Sequence, residues 1–65
     1  MKEHFLVKTI NGKKYFLNWE NKPVENIELA KKHYFYEAKN KAGKIENTNV
    51  VERRNLENGV KYKEI

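Results

Sequence analysis

Cysteine, aspartate, serine and glutamine are absent from this chain, and only one proline and three glycines stand among its 65 residues. Each absence removes a class of chemistry. Without cysteine there is no disulfide staple and no thiolate nucleophile, and two histidines alone cannot make the Cys/His set that holds a structural zinc. Without serine the other common nucleophile is gone as well. Every carboxylate is a Glu, and the side-chain hydroxyls come only from Thr9, Thr48 and four tyrosines. No apolar run approaches the roughly 20 residues of a membrane span. The opening MKEHFLVK carries no long apolar stretch followed by a small-residue cleavage site. We therefore expect a cytoplasmic protein with no membrane partner.

The length implies a single domain, residues 1–65, that buries only about 60% of the surface exposed by its unfolded chain. A deep catalytic cavity is not expected, and stability must come from packing, with help from a partner or from a second copy in a homodimer. Fourteen basic residues against nine acidic ones leave a net charge of +5. That balance biases the chain toward polyanions or acidic protein faces. The abundance of Lys, Asn, Glu and Ile is what an AT-rich genome encodes.

Asn11-Gly12 is the clearest local signal. Both central positions of a type I′ turn take positive φ, so the pair predicts a tight hairpin between FLVKTI and KKYFLNW. In that register Ile10 faces Lys13, Lys8 faces Tyr15, Leu6 faces Leu17 and His4 faces Trp19 on one side. Thr9 faces Lys14, Val7 faces Phe16 and Phe5 faces Asn18 on the other. Both sides carry apolar residues.

Residues 21–47 allow three readings. In the first, NIELAKK alternates as an edge strand, with Ile27 and Leu29 on one side. A helix then follows in which Phe35, Ala38, Ala42 and Ile45 form one stripe, Glu37 precedes Lys41 by four on the outer face, and Asn47 closes the end. A single helix from Pro23 to Gly43 is the second reading, and an all-β chain with KNKAGK as a hairpin loop is the third. Farther on, TNVVERRN reads as a strand and Asn58-Gly59 as a second tight turn before VKYKEI, which would set Arg53 opposite Glu64 and Glu52 opposite Ile65. The leading expectation is an α+β fold: a small antiparallel sheet of two hairpins plus an edge strand, with one helix on one face.

Candidate chemistry is sparse. His4 and His33 stand in no recognisable ligand spacing, and glutamate pairs such as Glu20/Glu25 or Glu52/Glu57 are what nine dispersed glutamates produce by chance. Glycines 12, 43 and 59 are too scattered for a phosphate loop. We expect no catalytic residue, no metal site and no cofactor. Binding is the better expectation, by one of two surfaces. The basic pairs Lys13/Lys14, Lys31/Lys32 and Arg53/Arg54, interleaved with Tyr15, Phe16, Trp19, Tyr34, Phe35 and Tyr36, would suit a nucleic-acid strand. Alternatively, the helix stripe covers the larger apolar face (His4, Leu6, Ile10, Tyr15, Leu17, Trp19) as a core. That leaves Phe5, Val7 and Phe16, beside Lys14, as an uncovered patch for a protein partner or a second copy.

The segments INGKKYFLNW, LAKKHYFYEAKNKA and NVVERR, in that order, resemble short accessory proteins of phages and prophages of low-GC Gram-positive bacteria. The resemblance spans most of the chain. It implies a non-catalytic inhibitor of a host protein, such as an anti-CRISPR or other anti-defence protein acting on a nuclease, and it transfers no site residues. A chain of charge +5 departs from the acidic DNA mimics among such inhibitors, so an inhibitor of this kind would dock on an acidic or apolar protein face or occupy a nucleic-acid path.

Overall fold

The computed structural model describes residues 2–65. Five antiparallel strands make one sheet: β1 Lys2–Ile10, β2 Lys13–Leu17, β3 Pro23–Val24, β4 Thr48–Leu56 and β5 Gly59–Glu64, in the order β3-β2-β1-β4-β5. One helix, α1 Phe35–Lys44, lies across one face. The expected α+β architecture is what forms, with the two hairpins joined through the β1–β4 ladder from Lys2↔Arg54 to Lys8↔Thr48.

The helix meets the sheet through the stripe read from the sequence. Ala38 is fully buried against Leu6, Leu17 and Val50, and Ala42 and Ile45 pack at the margin. Small residues at 38 and 42 let the helix approach closely, and each of the three large aliphatic side chains beneath contributes about 2 kcal/mol by burial. Tyr34 supplies no side-chain cap at the helix start. At the other end the helix stops at Lys44 with Ile45 extended as its cap, short of the Asn47 expected to close it. Asn47, at φ 55°, lies in the turn beyond, and its carbonyl accepts the Thr9 N–H at 2.9 Å, tying that turn to β1.

The first hairpin has the expected register, Ile10↔Lys13 through Val7↔Phe16, around Asn11 (φ 51°) and Gly12 (φ 81°). Beyond Leu17 it departs from expectation. Asn18 turns the chain back: its Oδ1 accepts the N–H groups of Glu20 and Lys22, each at 2.9 Å, and Asn21 takes φ 59°. The chain then returns as β3, Val24 opposite Phe16. Trp19, expected opposite His4 in the core, sits at that turn, 73% exposed. The place beside His4 is taken instead by His33, whose N–H donates to the His4 carbonyl at 2.8 Å.

Two further expectations need correction. Ile27–Leu29 is a 3-10 turn and not an edge strand, because the Asn26 side chain accepts the Glu28 N–H and starts a helical turn. The edge strand is Pro23–Val24. The second hairpin turns on Glu57-Asn58 rather than Asn58-Gly59, so Arg53 pairs with Tyr62 and Glu52 with Lys63. Gly59, in the fourth position of that turn where glycine is favoured, takes the positive dihedral, φ 131°, and Asn58 does not.

Candidate functional site

Strand alternation places Glu3, Phe5, Val7, Lys14, Phe16, Val51, Arg53 and Tyr62 on the sheet face that the helix does not cover. Phe5 and Val7, expected to be offered to a partner, are nonetheless only 1% and 7% exposed. Their cover is built from neighbours on the same face. The Arg53 guanidinium lies over the Phe5 ring, 5.2 Å from its centroid, and the Phe16 ring approaches edge-on at 6.0 Å. Glu3 anchors this lid. Its carboxylate accepts from Arg53 Nε at 2.8 Å and from the second guanidinium nitrogen Nη2, and Lys32 Nζ stands 2.6 Å away. The Lys32 and Arg53 hydrogen bonds hold the Glu3 carboxyl below its ordinary pKa.

The accessible part of this face is a shallow groove of about 170 Å³ whose walls include Phe16, Val51, Tyr62 and the stem of Lys14. Phe16 and Val51 are half-buried, Tyr62 is 54% exposed and the neighbouring Val60 is 49% exposed. Lys14 is tied across the groove to Glu64 at 3.1 Å, and the Asn49 amide donates to the other Glu64 oxygen at 3.0 Å. The groove is therefore apolar with its flanking charges internally matched.

A second depression, about 480 Å³, opens at the start of α1 between Trp19 and Tyr34, the latter 86% exposed. Its polar floor is the pair His33–Glu37, Nδ1 to Oε1 2.6 Å. Burial pushes the His33 imidazole below its ordinary pKa despite that bond, and the same bond lowers the Glu37 carboxyl. Lys31 lies 3.6 Å from Glu37 and 4.8 Å from the Trp19 ring centroid. An imidazole–carboxylate pair can orient a nucleophile, but the His33 side chain is 1% exposed and the lining holds no Ser, Cys or Thr hydroxyl. A third depression, about 590 Å³ at the far end of the helix around Thr9, Asn11 and Ala42, carries no ionisable side chain and no aromatic ring. Among the described residues no three His, Cys, Asp or Glu side chains gather to hold a metal ion, and no helix is long and apolar enough to cross a membrane.

The six basic residues expected to contact nucleic acid are engaged within the protein. Each has a carboxylate partner: Lys13 with Glu25 at 2.5 Å, Lys14 with Glu64, Lys31 with Glu37, Lys32 and Arg53 with Glu3, and Arg54 with Glu52 at 2.9 Å. Pattern reading missed Glu3 and Glu64, because nothing local distinguishes them from the other glutamates. Val51 and Tyr62 were findable from the period-2 pattern of the second hairpin once its register was known. No protein-family model matches the chain, and neither the curated proteins nor the solved structures provide a match.

Proposed function

We propose that this is a non-catalytic binding protein that docks on another protein through the open face of its sheet, in the manner of a phage-type inhibitor of a host defence or nucleic-acid-processing protein. The observation that carries the reading is the exposed apolar groove of Phe16, Val51 and Tyr62 on a helix-free face whose flanking Lys14 is already neutralised by Glu64. An apolar patch rimmed by polar groups suits a protein interface, and aromatic side chains at its centre are the usual energetic anchors. Against nucleic acid, a phosphate chain would compete with a glutamate at each of the six expected contacts, Glu3 serving both Lys32 and Arg53.

Photo-crosslinking tests this reading. A benzophenone amino acid placed at Tyr62 or Val60 should give protein adducts in bacterial cells, and one at Lys39 on the outer side of α1 should not. Labelled DNA and RNA should show no anisotropy change near physiological salt. Oligonucleotide binding that survives that salt, and is lost on replacing Arg53 and Arg54 with Ala, would overturn the protein-docking reading.

A further inference from the structure

The sheet ends at β5, and one hydrogen bond defines how that edge is presented. Ile65 N–H donates to the Val50 carbonyl at 2.9 Å. Antiparallel alternation then turns the backbone groups of Lys61 and Lys63 toward β4 and those of Val60, Tyr62 and Glu64 outward. Every residue of β5 is exposed, and none of its outward N–H and C=O groups has a backbone partner among the described residues. The opposite edge, β3, is only two residues long.

The two sides of this edge differ in character. On the helix side Lys61 and Lys63 stand beside Arg54 and across β4 from Lys2. Among the described residues one carboxylate, Glu52, serves that group, 2.9 Å from Arg54 and 3.9 Å from Lys2. On the open side Val60 and Tyr62 continue the apolar groove, and Glu64 is taken up by Lys14 and Asn49.

A second copy fits poorly. Antiparallel pairing of β5 with itself must set outward residues against outward residues, with Tyr62 opposite Val60, Tyr62 or Glu64 of the other chain. In each of those registers Lys61 or Lys63 falls opposite a lysine of the other copy, in the closely spaced non-hydrogen-bonded pair where like charges repel most. Lysine on an edge strand is a recognised guard against self-association.

We infer that β5 accepts an added strand from a partner protein, one that alternates carboxylate and apolar side chains. The carboxylates lie over Lys61 and Lys63, and the apolar residues extend the Val60–Tyr62–Val51 surface. Main-chain bonds to Val60, Tyr62 and Glu64 supply affinity, and the charge alternation supplies register. This inference rests on the protein-docking reading and specifies the partner's chemistry.

The test is an amide-shift titration of the ¹⁵N-labelled protein with three blocked peptides: one alternating Glu and Val, one with the same composition in two blocks, and one alternating Lys and Val. The alternating acidic peptide should move the Val60, Tyr62 and Glu64 amides, and the block and lysine peptides should not. In the Lys61→Glu/Lys63→Glu double variant, whose positions are exposed, affinity for the acidic peptide should fall about tenfold and the lysine peptide should bind instead. No shift at millimolar acidic peptide, or equal binding of the block peptide, would overturn the strand addition. Shifts at Phe16 and Val51 with β5 unmoved would also overturn it while leaving open-face docking standing. Oligonucleotide binding that survives near-physiological salt and is lost on replacing Arg53 and Arg54 with Ala would overturn both.

Discussion

Replacing Glu3 with Gln should unfold the protein more easily by an amount that depends on pH. Glu3 is the hub of the lid over Phe5: its side chain is 8% exposed, it receives two guanidinium bonds from Arg53, and Lys32 Nζ lies 2.6 Å away. Gln keeps the shape and one acceptor oxygen but removes the charge. Hydrogen bonds to charged groups are worth about 1.5–3 kcal/mol, and an exposed lysine partner adds at most about 1 kcal/mol, so a net loss of about 2 kcal/mol is expected. In a domain this small each kcal/mol moves Tm by about 4–8 °C, giving a drop of about 8–16 °C at pH 7. The pH dependence follows from the lowered folded-state pKa. The unfolded chain takes up the proton near 4.5 and the folded chain only below that, so the Glu3 contribution is complete above about pH 4.5 and is lost as pH falls through the folded value. Thermal unfolding of both proteins, followed by circular dichroism from pH 7 to pH 3, should show the gap closing on the acid side. A difference below about 0.5 kcal/mol at pH 7, or one unchanged down to pH 3, would refute the hub role.

Three other outcomes are expected. Leu17→Ala should cost about 3 kcal/mol in urea unfolding, because Leu17 is fully buried beneath Ala38, and that cost is a large share of what a domain this size holds. Gly43→Ala should raise stability by about 0.5–1 kcal/mol, since Gly43 lies within α1, has no positive φ and has open space where the methyl would sit. The His33 imidazole should titrate by NMR below its ordinary 6.5, its charged form disfavoured by burial. Because the unfolded chain binds that proton first, stability should begin to fall as pH drops below about 6.5, ahead of the carboxylates.

The sequence alone determined the parts that depend on neighbours along the chain. Asn11-Gly12 dictated the first turn and its register, because positive φ at two successive positions is cheap for few residue pairs. The 3.6-residue spacing of Phe35, Ala38, Ala42 and Ile45 marked the helix and the side that meets the sheet. The open face was predictable from alternation. Tertiary structure decided what pattern reading cannot carry. Whether Ile27–Leu29 extended or coiled was a contest that a three-residue alternation is too short to decide, and the Asn26 side chain and carbonyl, accepting from Glu28 and Leu29, hold the turn. Whether the second hairpin turned on Glu57-Asn58 or one residue later depended on which residue took the positive φ, and both offered a glycine. The accessibility of Phe5 and the freedom of the cations depended on Glu3 reaching Arg53, 50 residues away, and on Glu64 reaching Lys14. Charge pairing across strands is a matter of register and side-chain reach, so a basic composition alone could not show that these lysines and arginines were already spoken for.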